Sequence, residues 1–195
     1  MSVNASERGD TLIEVFVAIT VLAIVTVSVF SIMNKGVASM YDSLERAQVR
    51  QILDAQSEML QYARDQYVVQ QTPQSAAMSL DDAAAAAVWT RLRDTTQVPD
   101  IAGIPGLNDC HISNAFYLTM KPNGGNTTMV LEKNGVISPS SGLPEPGNGL
   151  WIQKISSQAA QPVPYKDFYI KACWQPVGSD VPQVLSSVVR LYDQN

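Results

Sequence analysis

Gly9-Asp10-Thr11-Leu12-Ile13-Glu14-Val15-Phe16 opens a run that continues to Met33 without another charge. An acidic side chain at the middle of a membrane-length helix costs roughly 2.5–3.5 kcal/mol on insertion scales, and less near an end. Glu14 sits at the start of such a run, so its charge calls for a use. Residues 15–33 are dominated by Val, Ile, Leu and Ala. As an α-helix they measure about 28 Å, close to the ~30 Å hydrocarbon core of a bilayer. Thr20, Thr26, Ser28 and Ser31 are the polar exceptions. Their hydroxyls can bond back to the helix backbone and are cheap in lipid.

Three readings compete for this segment. A buried core helix that is apolar on every face needs a large protein around it. A cleaved secretory signal would use Arg8 as its basic region and Gly36-Val37-Ala38 as its cleavage site. The run is longer than the usual 7–15 residues of a signal core, and Glu14 stands at its mouth. A permanent span is the reading adopted. Lys35, Arg46 and Arg50 on the far side outnumber Arg8, so charge counting does not place the N-terminus in the cytoplasm. The short leader and the cysteines argue for an exported C-terminal part.

The 195 residues suffice for one domain plus an appendage, and they carry a net charge of −5. An acidic chain of this kind lacks the broad basic face that nucleic acid requires, so no nucleic-acid partner is indicated. The two cysteines, Cys110 and Cys173, both follow the apolar run. If that half is exported they form a disulfide; otherwise they are two buried thiols. His111 is the only histidine, which leaves no metal spacing. There is no phosphate-binding glycine loop and no nucleophile elbow, so neither a cofactor nor an enzymatic activity is expected. Asp81 and Asp82 form a carboxylate pair, more simply read as the acidic first turn of a helix capped by Ser79.

The stretch Arg8 to Val15 resembles the class III leader junction of type IV prepilins and type II secretion pseudopilins. The resemblance covers roughly the first 35 residues. It implies cleavage after Gly9 by a prepilin peptidase and N-methylation of the new first residue, Asp10. It also implies that Glu14, fifth in the mature chain, pairs with the α-amine of a neighbouring subunit. Leaving one partner of such a pair unpaired in low dielectric costs several kcal/mol, so the pair would fix the axial register of assembly. The family usually places phenylalanine or another apolar residue where this chain has Asp10, which moves the reading from a major to a minor subunit. The implied partners are other pilin subunits, the peptidase, the inner-membrane assembly machinery and, before assembly, the lipid bilayer. The implied location is the cytoplasmic membrane, single-pass, then an extracellular or periplasmic filament. A membrane-anchored or secreted binding domain with an ordinary signal sequence is the alternative.

Beyond the span the pattern becomes amphipathic. Tyr41, Leu44, Ile52, Ala55, Met59 and Tyr62 or Ala63 recur at helical spacing, giving one helix from about Thr11 to Gln70. Residues 72–79 read as a linker around Pro73, and a second helix runs from the Ser79 cap to about Arg93. Strands are expected at 115–121 and 127–133 around Pro122-Asn123-Gly124-Gly125-Asn126, and at 150–156, 167–174 and 184–192. A turn is expected at Asn134-Gly135 and a surface loop at 138–149. The expected fold class is α+β and pilin-like. A long N-terminal helix, membrane-spanning in its first half and amphipathic in its second, packs on a C-terminal antiparallel sheet of four or five strands. The expected divisions are a leader at 1–9, an assembly helix at 10–36, its amphipathic continuation at 37–71, a connecting region at 72–114 and the sheet at 115–195.

Overall fold

The structure is a computed structural model. It describes residues 7–94, 96, 98, 110, 115–134, 139–156, 165–177 and 179–192. Residues 1–6, His111, Gly135 and Ser138, on which parts of the leader, histidine, turn and loop readings fall, lie outside the described residues. The chain divides into two units, Met1–Leu44 and Glu45–Asn195. The helix α1, Glu7–Gln70, contributes to both. The arrangement is the expected α+β one: a long N-terminal helix and a C-terminal sheet.

In the first unit α1 is the only element among the described residues, and every residue from Leu12 through Tyr41 is exposed. In the second unit the rest of α1 leads through a short 3-10 helix, Pro73–Ala77, to α2, Leu80–Arg93. Six strands follow: β1 Ala115–Asn123, β2 Asn126–Asn134, β3 Glu145–Pro146, β4 Gly149–Ser156, β5 Tyr165–Trp174 and β6 Gln183–Tyr192. The sheet order is β2-β1-β4-β5-β6, antiparallel at every step, and β3 joins β4 in parallel.

Local sequence explains most of these boundaries. The Ser79 hydroxyl accepts the Asp82 N–H at 3.1 Å, and the Asp82 carboxylate accepts the Ser79 N–H at 3.3 Å. This capping box satisfies two N-terminal donors of α2, and it accounts for the acidic pair. The β1–β2 hairpin closes on Gly124 and Gly125, with φ of 60° and 97°. A two-residue turn needs positive φ at both positions for its twist to match the strands, and glycine adopts it without strain.

A main core and a smaller cluster lie in the second unit. Val49, Leu53, Leu60 and Ala63 of α1 meet Val88, Trp89 and Leu92 of α2 over Phe116, Leu118, Leu131, Leu150, Ile152, Phe168, Ile170, Ala172 and Trp174. The Trp89 and Phe168 rings lie 5.8 Å apart. The apolar alternation expected for Phe168, Ile170, Ala172 and Trp174 faces this core. The helix stripe differs from the expected one. Ala55 is exposed, as are Tyr41, Leu44 and Tyr62, whereas Ile52 and Met59 only border the core. The buried row is Val49, Leu53, Gln56, Leu60 and Ala63. Its centre is a polar residue, which hides it from a hydrophobicity pattern.

Gln56 is buried because its amide stands in for a strand. Its Nε2 donates to the Leu118 carbonyl at 3.0 Å, and its Oε1 accepts the Leu118 N–H at 3.1 Å. Antiparallel pairing of β1 with β4 is recorded only at Phe116 and Ile152. Beyond that bridge β3 takes the β4 partner position: Pro146 pairs with Leu150, and Gly147 N–H donates to the Leu150 carbonyl at 3.2 Å. Leu118 therefore needs a substitute, since unpaired buried backbone groups cost about 1–3 kcal/mol each.

The described part of the expected loop, residues 139–149, is more structured than a surface loop. Ser140 is buried and bridges Trp174 in parallel, donating its N–H to Cys173 and accepting from Gln175. A Cβ on Gly149, whose φ is +74°, would stand 2.4 Å from the Cys173 carbonyl. Glycine is what allows this approach.

Candidate functional site: an uncovered apolar helix with one carboxylate

The candidate site is the first unit itself. Its residues favour a helix in a medium where the backbone must satisfy its own hydrogen bonds, because no proline interrupts it. Three of the four hydroxyls fold back as expected. Thr20 Oγ1 donates to the Phe16 carbonyl at 2.8 Å, Thr26 to Leu22 at 2.7 Å and Ser28 to Ile24 at 2.8 Å. No polar group other than Glu14 is left to project from this stretch as a charge.

The energetics of exposure decide what the helix is for. Phe16, Leu22 and Ile32, on different faces, are 65%, 66% and 71% exposed. Each large aliphatic or aromatic side chain gains roughly 1.5–3 kcal/mol on leaving water. A stretch with so many of them cannot persist bare in water, where exposed apolar patches larger than a few hundred Å² are interaction surfaces. By length and composition this helix can cross a membrane.

Glu14 is exposed and is the only charged residue between Leu12 and Lys35. The backbone of Gly9 and Asp10 lies in the opening turns of α1. Two grooves run along the helix surface, one lined by Leu12, Val15, Phe16 and Ile19, the other by Val37, Met40, Tyr41 and Leu44. Both follow the i, i+3, i+4, i+7 spacing by which one helix presents a stripe to another. A helix of this kind can be solvated by lipid or by other apolar helices, and one isolated carboxylate in it can pair with a cation of fixed position.

The second unit supplies a stable head. Cys110 and Cys173 form a disulfide, with their Cα atoms 5.9 Å apart. Trp151 and Ala115 pack around it in a small cluster separate from the main core. The helices α1 and α2 are tied by two tyrosines. The Tyr62 hydroxyl donates to Asp82, and Tyr67 accepts from Arg93, whose guanidinium lies 5.1 Å from the Tyr67 ring centre. The bond to Asp82 pushes the Tyr62 phenol up to about 12, and the bonds from Tyr62 and Ser79 hold the Asp82 carboxyl below its usual range.

Other polar clusters lie on the sheet. Glu132 on β2 accepts from Lys121 and Tyr117 of β1, which lowers its pKa and raises that of Tyr117. On β5 and β6, Arg190 donates through Nε and Nη2 to the two Asp167 oxygens at 2.7 and 2.8 Å and stacks 4.0 Å over the Tyr165 ring. Asp167 raises the Arg190 pKa. Lys154 is buried and donates to the Leu92 carbonyl at 2.8 Å, placing a cation at the C-terminus of α2, where the helix dipole favours one. Sequence reading missed Gln56, Lys154 and the Arg190 cluster. Their partners are distant in sequence and become visible only once the register is known.

Among the described residues no group of three His, Cys, Asp or Glu side chains is arranged to hold a metal ion. No protein-family model matches the chain, and no curated protein and no solved structure shows significant similarity to it.

Proposed function

We propose that the chain is a structural subunit of a type IV pilus-like filament, a minor pilin or pseudopilin, and not an enzyme. The observation that carries this reading is the uncovered, all-round apolar helix with Glu14 five residues after Gly9, joined to a head that has a core of its own. In this reading a prepilin peptidase cuts between Gly9 and Asp10 and methylates the Asp10 amine. Lipid covers the helix before assembly, and the helices of other subunits cover it afterwards. The freed α-amine, with an ordinary pKa near 8, is a cation at neutral pH. Glu14 of one subunit meets the amine of another, and a subunit entering at the wrong height leaves a buried charge unpaired. Assembly machinery in the inner membrane moves the subunit into a periplasmic or extracellular filament, where the sheet faces outward.

The mature N-terminus tests this. Mass spectrometry of the protein from its host should find a chain beginning at Asp10, heavier by one methyl group. A chain beginning at Ser39 would mean an ordinary signal sequence and end the pilin reading. Glu14→Ala should leave the protein in the membrane and abolish its incorporation into filaments. Unchanged incorporation would remove the register role of Glu14.

A further inference from the structure

Asparagine followed by glycine occurs three times in the chain, at 123–124, 134–135 and 148–149. Gly135 lies outside the described residues. The other two pairs share a sequence and differ in setting. Asn123 ends β1 and Gly124 begins the turn of the β1–β2 hairpin, where every residue from Lys121 through Thr127 is exposed. Among the described residues neither the Asn123 side chain nor the Gly124 N–H has a hydrogen-bond partner. A Cβ on Gly124 would meet nothing within 4 Å. The Asn123 backbone is tied at the last pair of the ladder, opposite Asn126. Such a terminal pair opens at little cost in free energy.

Asn148-Gly149 is held on both sides. The Asn148 N–H donates to the Glu145 carbonyl, and the Asn148 carbonyl accepts the Glu145 N–H, both at 2.8 Å. Gly149 is buried against the Cys173 carbonyl and the Ser140 side chain. The peptide between Asn148 and Gly149 cannot turn over without breaking these contacts.

We propose that Asn123 is a site of spontaneous covalent modification, deamidated by the backbone nitrogen of Gly124, and that the fold protects Asn148 from the same reaction. Asparagine is a thermolabile residue, and a following glycine places no side chain in the way of the attacking nitrogen. Hydroxide removes the Gly124 amide proton, and the nitrogen attacks Cγ of Asn123. The new Cγ–N bond closes a cyclic imide. The Cγ–Nδ2 bond breaks, and Nδ2 takes a proton from water and leaves as ammonia. Water then opens the ring at either carbonyl. Opening at Cγ leaves aspartate; opening at the main-chain carbonyl leaves isoaspartate, with the chain routed through Cβ and Cγ. Nothing is oxidised or reduced, since one water enters and one ammonia departs. Either product puts a carboxylate where an amide stood, and isoaspartate also lengthens the main chain by one carbon. The hairpin tip accommodates both changes, because its side chains are exposed and the hairpin is held further back, where Gln56 grips Leu118. The site depends on this hairpin and not on the filament reading.

Peptide mapping by mass spectrometry tests it, on the purified full chain aged in mildly alkaline buffer with detergent, with fragmentation assigning each position. Asn123 should gain the mass difference between O and NH several-fold faster than Asn148. In denaturant with the disulfide reduced, the two should convert at similar rates, since the fold is what tells them apart. A folded chain in which Asn148 keeps pace with Asn123 would overturn the proposal. So would an Asn123 that stays intact when folded and converts when denatured, or a ratio of the two rates that denaturation leaves unchanged. Asn123→Asp, which installs the charge of the product, should unfold at the same denaturant midpoint as the parent protein. A lowered midpoint would overturn the tolerance assigned to the tip.

Discussion

Leu22 and Leu60 lie on the same helix and have the same side chain, yet Leu22 is 66% exposed and Leu60 is fully buried. Around Leu60 the helix has a polar side and an apolar row, and the row is covered by α2 and the sheet. Around Leu22 there is no polar side, and every described residue from Leu12 through Tyr41 is exposed. A helix in water owes its stability mainly to the packing of one face. The half from Glu45 to Gln70 meets that condition within the fold; among the described residues, the half before it does not.

The largest expected effect tests that division directly. Leu60→Ala should destabilise the head by about 2–5 kcal/mol, the range for emptying a leucine site in a packed core. Leu22→Ala should leave denaturant unfolding of the head, followed by tryptophan fluorescence in detergent, unchanged. Equal losses from both would mean that the two halves share one packing environment. A smaller effect comes from Gln56→Leu, which keeps the volume but orphans the Leu118 N–H and C=O, at about 1–3 kcal/mol for each group left unpaired. If stability is unchanged, the amide is not the partner that keeps the β1–β2 hairpin on α1.

The smallest effect is a pH signature. Asp82 titrates below its usual range, so its contribution is present above the unfolded carboxylate pKa and fades as pH falls through the lowered folded value. Tyr62 is shifted the other way, to about 12, so its contribution is complete below the unfolded pKa near 10 and is lost as pH rises from there towards 12. Tyr62→Phe should flatten the alkaline limb of the stability profile of the head and leave α1 before Glu45 unaffected. An alkaline limb identical to that of the parent protein would place the titrating group elsewhere.

Much of the fold was legible because short-range chemistry dictates it. The Ser79 cap, the Gly124-Gly125 turn and the charge-free run after Glu14 each depend on residues within a few positions, and the structure shows the predicted helices and hairpin there. The helix stripe was read one position astray, because its centre is Gln56 and the rule looks for hydrophobes. β3 escaped because two residues carry no period, and the burial of Ser140 escaped because serine marks loops. Lys154 and Lys171 are both 1% exposed in alternating strands where lysine predicts the wet face. The exposed apolar helix was legible, since its signal is composition along one stretch of chain, and the parts that Gly9, Asp10 and Glu14 play belong to the proposed function.

The Gln56 clamp on Leu118 has an evolutionary consequence. Both of its bonds go to the main chain, so the contact fixes a position along β1 without constraining which residue occupies it. Descendants of this sequence are free to change the hairpin's exposed side chains, while the place where the hairpin hangs from the helix stays the same. One glutamine thus separates the inherited geometry of the head from the variable chemistry of its surface.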